Sequence, residues 1–243
     1  MIPLRDNNPT KRLPIMTIIL IAINVIVFLY TNSLSTRAQA RFYIDYGLIP
    51  LKVTAIFDTT SALTFITSMF LHGGWLHIGG NMVYLWIFGN NIEDRLGIIR
   101  FTLFYVACGI AAGLAQIAID PISHIPQIGA SGAIAGVLGG YIVTFPRAKV
   151  KTLLILGYFI RLVDISAVWV LGFWFVLQVI NGVASSSQSD VAFFAHIGGF
   201  IAGVILIKVF SLGTSGPTDW LARPPDRPAP PIDQPRNPNR WWD

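Results

Sequence analysis

An all-α, polytopic membrane protein is the fold class this chain predicts, and three observations predict it. Of its 243 residues, 53% are hydrophobic and only 12% charged, with a mean hydropathy of +0.62, a balance that does not fold into a water-soluble globule. Apolar stretches recur at residues 14–31, 76–92, 99–119, 129–145, 166–183 and 191–210, each about long enough to cross a hydrocarbon layer of roughly 30 Å with modest tilt. Lysine and arginine collect in alternate connections. Together these predict a six-helix bundle over residues 14–212, a short N-terminal segment at 1–13 and an extension at 213–243.

The first stretch is followed by no small-residue cleavage site and is longer than a signal-peptide core, so it reads as a retained span. A long connection, residues 32–75, contains apolar pieces at 46–57 and 63–71 and is expected to lie partly in the outer leaflet surface. The second and third spans are separated by a charged corner at Glu93, Asp94 and Arg95. The fourth follows a polar loop at 120–127. Residues 151–181 are too many for one span and carry Arg161 and Asp164, each costing roughly 2.5–3.5 kcal/mol or more facing lipid at mid-depth. An interfacial segment followed by the fifth span resolves this. The sixth follows the polar run 185–190. From residue 213 the chain turns rich in Pro, Arg, Asn and Asp with few aliphatics, so it cannot bury enough surface to fold. That tail is expected to be disordered, with Trp241 and Trp242 touching the membrane surface.

With the N-terminus cytoplasmic, one side collects Arg5, Lys11, Arg12, Arg95, Arg100, Arg147, Lys149, Lys151, Arg161, Lys208 and the tail arginines, whereas the other holds Arg37, Arg41 and Lys52. Both termini are therefore expected in the cytoplasm. The net charge of +5 is scattered between apolar stretches rather than gathered in a patch, which favours membrane topology over nucleic-acid binding. The single cysteine, Cys108, can form no intramolecular disulfide and is expected to pack as a small apolar residue.

Three polar clusters interrupt the apolar stretches: His77 to Asn81, Gly129 to Gly132, and His196. On the assigned topology the second, fourth and sixth spans run in the same direction, so residues early in each lie near the same outer level. Gly132, Gly136 and Gly140 recur every four residues in the fourth span, as do Ala195, Gly199 and Gly203 in the sixth, a small-residue pattern that lets two membrane helices approach closely. His196 is placed beside this seam and Gly129 just before Ser131. Taken singly, the glycines read as helix packing, Ser131 as a hydrogen-bonding membrane serine, and His196 as bonded to a carbonyl. Taken together, they put a hydroxyl nucleophile and an imidazole base at one depth. His77 and Asn81 lie one helical turn apart, on the same face. His72 and His124 read as solvated or interfacial, and the four histidines lack a zinc-binding spacing such as H-E-x-x-H. No metal and no cofactor are predicted.

The runs LHGGWLHIGGN from Leu71 to Asn81, GASG from Gly129 to Gly132 and AHIGG from Ala195 to Gly199, in this order on these spans, resemble the signature of the rhomboid intramembrane serine proteases. The likeness extends from the first span to the end of the sixth, and residues 93–97 and 159–162 are also similar to bacterial members. It implies a six-helix bundle around a water-filled cavity open to the outer side. Ser131 would attack the scissile carbonyl, and His196 would take its proton and later return it to the leaving amine. No carboxylate lies beside His196 within its span, and Asp190 is set apart by mostly apolar residues, which suits a dyad. Asn81, His77 and the backbone N–H of Ser131 would hold the oxyanion. One departure is Ala135, where many members carry an aromatic against the histidine; Phe200 or Trp174 is left to hold the imidazole here.

The resemblance further implies single-span membrane proteins as substrates, admitted sideways past a mobile fifth span and the loop before the second, with a small residue preferred at the cut bond. A peptide bond inside a helix must be unwound before a serine reaches it, so helix-weakening residues are expected near the outer end of such spans. A compact chain of this kind suits a bacterial plasma membrane. Two other classes compete. A transporter would need intramembrane carboxylates or an inverted repeat, and neither is evident. A catalytically inactive scaffold would be expected to lack the nucleophile, whereas Ser131 and His196 are both present.

Overall fold

The computed structural model describes residues 1–184 and 192–213. In chain order it contains β1 (Ile2–Asp6), α1 (Ile15–Ser33), α2 (Thr36–Tyr46), α3 (Pro50–Ala55), α4 (Thr59–Thr67), α5 (Trp75–Tyr84), α6 (Asn90–Leu96), α7 (Ile98–Ile119), α8 (Ser131–Thr144), β2 (Lys149–Leu156), β3 (Phe159–Ser166), α9 (Ala167–Ala184) and α10 (Phe193–Phe210). Among the described residues, α1, α7, α9 and α10 are long and apolar enough to cross a membrane. Helix α5, a π-helical turn at Leu85–Gly89 and α6 follow one another without a break, and α8 is a shorter apolar helix.

Helix α8 is shorter than the stretch 129–145 suggested. It starts at Ser131 and runs 14 residues, about 21 Å at 1.5 Å per residue, which falls short of a hydrocarbon layer of roughly 30 Å. Its neighbours supply the missing environment: every residue from Ala133 to Tyr141 is buried, the condition of a helix that is apolar all round. Residues 120–130 reach its start as an irregular connection, held by pairing of Leu48 with Gln127 and by Gly129 N–H donating to Ser68 O at 2.9 Å. These bonds satisfy backbone groups that lipid could not.

Small residues set how near α10 comes to α8. A Cβ placed on Gly199 would overlap the carbonyl of Gly132, one on Gly203 would overlap that of Gly136, and one on Gly139 would overlap that of Phe200. Backbone therefore lies on backbone along this seam. Cys108 of α7 is fully buried and fills the space beside Gly136.

Residues 149–166 form a hairpin, which hydropathy alone read only as an interfacial segment. Strands β1, β2 and β3 make an antiparallel sheet in that order, with Lys151 opposite Asp164 and Leu154 opposite Arg161. The β-branched residues Val150, Thr152, Ile155, Ile160, Val163 and Ile165 suit strands, and Gly157, at φ +59°, takes the left-handed turn position that a tight hairpin needs. Arg161 and Asp164 thus stand in β3, outside the apolar helix α9. Strand β1 delivers Asp6 to the bundle, where its Oδ2 accepts from Asn91 Nδ2 at 2.7 Å and from Tyr141 Oη at 2.6 Å. Burial holds this carboxyl above its ordinary pKa.

The charged corner after α5 has a structural use. Glu93, 3% exposed, accepts from the N–H of Met16 (2.8 Å) and from the N–H (2.7 Å) and hydroxyl (2.8 Å) of Thr17. Asp94 accepts from the N–H groups of Lys11 and Arg12. Helix α1 has no side-chain cap of its own, so Glu93 satisfies two of its orphan donors and complements its dipole, while Asp94 holds the segment that leads into it. The polar run 185–190, with Asp190, and the Pro-rich tail from residue 214, with Trp241 and Trp242, lie outside the described residues.

Candidate active site

Ser131 is the first residue of α8 and His196 lies one turn into α10. The seam of glycines brings these two helix starts together, and Ser131 Oγ lies 2.8 Å from His196 Nε2. The other ring nitrogen is also engaged: His196 Nδ1 lies 2.8 Å from Oε1 of Gln178, on α9. Trp174, one turn earlier on α9, sets its ring centroid 5.9 Å from the imidazole with the planes 36° apart. Phe200 instead stacks on Phe175 at 4.5 Å. Of the two aromatics left open beside Ala135, Trp174 is the one near the imidazole. Gln116 of α7 accepts from the Ala195 N–H at 3.2 Å, which steadies the uncapped start of α10.

The start of α8 is uncapped too, with no side chain accepting from its first N–H groups. Those donors and the positive end of the helix dipole lie at the end of α8 that carries Ser131. Gly129, just before it, has φ +128°, a conformation that L side chains avoid. A Cβ there would also sit 2.8 Å from His77 Nε2 and 3.5 Å from Ser131 Oγ. Glycine at 129 is thus what lets His77 come up beside the nucleophile.

Asn81, 8% exposed, lies 2.9 Å through Nδ2 from Nε2 of His72. His72 is fully buried, not solvated or interfacial as its place near a loop suggested. Its own carbonyl accepts from Tyr43 Oη at 2.8 Å, which anchors it to α2. One hydrogen of the Asn81 amide is taken by His72, leaving the other for a second acceptor. His124 is exposed.

Ser131, His196, His77, Asn81, Gln178 and Trp174 all line one cavity of about 820 Å³. It is walled by α5 through Leu76, Gly80 and Tyr84, by α9 through Trp174 and Gln178, and by the 120–128 connection. Polar groups converge in it while its walls are largely apolar, the usual make-up of a binding cleft. Chemically, a hydroxyl bonded to an imidazole whose far nitrogen is held can act as an activated nucleophile. Among the described residues no cluster of metal-binding side chains occurs.

Sequence reasoning missed Gln178 and the role of His72. Gln178 carried one signal: it is a lone amide in an apolar span, and polar groups in spans are functional candidates by default.

These features define a polytopic helical membrane protein with a serine and a histidine paired inside its bundle. Residues 59–212, more than half of the chain, match the family model of the Rhomboid domain, and the chain belongs to that family. It is 28% identical over 206 residues to the rhomboid protease GluP of Bacillus subtilis, covering 84% of this chain and 36% of that one. It is 27% identical over 165 residues to the chloroplastic rhomboid-like protein 11 of Arabidopsis thaliana, covering 64% of this chain and 55% of that one. It is 37% identical over 95 residues to the mitochondrial rhomboid protein 1 of Saccharomyces cerevisiae, covering 37% of this chain and 28% of that one. The chain thus spans between 28% and 55% of the length of these relatives.

Proposed function

We propose that this chain is an intramembrane serine endopeptidase that cuts transmembrane segments of membrane proteins near the outer face, by a dyad of Ser131 and His196. The observation that carries the reading is the 2.8 Å contact between Ser131 Oγ and His196 Nε2 in a cavity walled by α5 and α9. His196 Nε2 takes the hydroxyl proton as Ser131 Oγ bonds to the scissile carbonyl carbon. The carbonyl oxygen becomes an oxyanion. On this reading the Ser131 N–H, the second Asn81 amide hydrogen and His77 donate to it. Collapse breaks the C–N bond, and His196 gives its proton to the leaving amine. Water, deprotonated by the same nitrogen, then hydrolyses the acyl-serine.

Substrates on this reading are single-span proteins that enter between α5 and α9, the two walls of the cavity. Their peptide bond must leave its helix before reaching Ser131, so sequences that unwind easily are favoured. The lysine and arginine distribution supports an orientation with both termini in the cytoplasm and the cavity on the outer side; the likeness to a protein of Bacillus subtilis supports a bacterial plasma membrane.

The test uses the purified chain in liposomes with a single-span reporter carrying helix-weakening residues near its outer end. The expected result is a cut inside the reporter span, mapped by mass spectrometry, together with labelling of Ser131 by a fluorophosphonate. A wild-type protein that neither cuts nor takes up the label rules the reading out, as a transporter or an inactive scaffold requires. In the same assay Asn81→Ala should lower kcat by roughly 10²- to 10³-fold, the cost of one oxyanion donor, and thermal unfolding of the variant checks that its fold survives.

A further inference from the structure

We propose that Gln178 is the positioning residue of the base: its side-chain oxygen accepts the Nδ1 proton of His196 and so leaves Nε2 as the bare nitrogen facing Ser131. This inference rests on the serine-protease reading given above. The 2.8 Å contact alone does not say which group donates, because an amide and a neutral imidazole each carry a donor and an acceptor. The helix itself decides. Gln178 Nε2 lies 3.5 Å from the carbonyl oxygen of Trp174, one turn back on α9, and a carbonyl can only accept. The amide nitrogen is therefore turned to the backbone and the oxygen to His196. Nδ1 must be the donor, and an imidazole protonated there has its lone pair on Nε2, the atom 2.8 Å from Ser131 Oγ.

The opposite tautomer would set a lone pair against the amide oxygen and an N–H against Ser131, and no base would be available. In soluble serine proteases a buried carboxylate selects the tautomer. Gln178 is 9% exposed on a helix of mean hydropathy 1.8, where an unpaired charge would be costly to bury. A neutral amide does the same orienting work without that cost. Trp174 shares the face of Gln178, four residues away, and limits tilting of the ring. Nucleophile and base sit on α8 and α10 whereas both ring supports sit on α9, so a displacement of α9 would release the imidazole.

The experiment compares wild type, Gln178→Leu and Gln178→Glu as full chains in liposomes, by steady-state cleavage and by ring ¹⁵N spectra of histidine-labelled protein. The His196 signals are assigned by their loss in His196→Gln. Gln178→Leu should lower kcat roughly 10- to 10²-fold, less than the ~10⁴-fold for a lost triad carboxylate, with KM little changed. Gln178→Glu keeps an acceptor and should recover most of that loss. His196 should be protonated on Nδ1 alone in wild type and mixed between the two nitrogens in Gln178→Leu. Wild-type His196 protonated on Nε2 overturns the proposal at once, as does Gln178→Leu with wild-type kcat. Equal impairment of the Leu and Glu variants with an unaltered ring spectrum assigns Gln178 a packing role only. Failure of wild type to cut or label defeats the protease reading instead, and the ring spectrum still decides the tautomer.

Discussion

Ser131→Ala should remove cleavage of the reporter span almost completely, by about 10⁵- to 10⁶-fold, as loss of the nucleophile does in soluble serine proteases. His196→Ala should fall to a similar floor, and the double variant should be no slower than either single one. This non-additivity follows from the 2.8 Å hydrogen bond between the two side chains. Without the hydroxyl the imidazole has no proton to take, and without the imidazole the hydroxyl is a poor nucleophile. Residual activity from oxyanion stabilisation and binding would survive in all three. The measurement is initial cleavage rate in liposomes, with fluorophosphonate labelling as a second readout that Ser131→Ala should abolish. A double variant slower by the product of the single effects would mean that the residues act independently, which the geometry forbids.

Gly203→Val should cost more than about 4 kcal/mol of stability, placing it among the exceptional substitutions. Even a Cβ on Gly203 overlaps the carbonyl of Gly136. A backbone atom cannot rotate away as a side chain can, so α10 must move off α8 to make room. That movement also withdraws His196 from Ser131, because both sit at the starts of the helices concerned. Activity and stability should therefore fail together. Gly172→Ala is the control: a Cβ at 172 meets nothing within 4 Å, and its effect should stay within about 1 kcal/mol. Thermal unfolding of the purified variants in detergent makes the comparison. Gly203→Val unfolding at the wild-type temperature would show that the helices do not approach so closely.

Much of the helical bundle was legible because a membrane imposes its own length on a chain: a stretch of about 20 apolar residues has few other uses. Ser131, His196, His77 and Asn81 stood out for the same reason, as polar groups in apolar surroundings, and the four-residue glycine spacing marked the seam. The hairpin at 149–166 was less visible, since short apolar runs such as those of KVKTLLIL and FIRLVDIS carry no period that separates a strand from an interfacial helix. The start of α8 was obscured because the connection before it is held by Leu48, Leu51 and Ser68, partners remote in sequence. His72 looked like a loop residue and is in fact buried behind Asn81.

The membrane class, the apolar stretches and the candidate residues for serine chemistry could be read along the chain alone, because hydropathy, small-residue spacing and side-chain type are local properties. Only the tertiary structure decided which groups surround the imidazole. Gln178 and Trp174 precede His196 on a different helix, and whether they face it depends on how α9 is rotated and how far it stands from α10. Helical periodicity relates residues along one helix. The rotation of one helix against another is set by the packing of all their side chains at once, which no local pattern records.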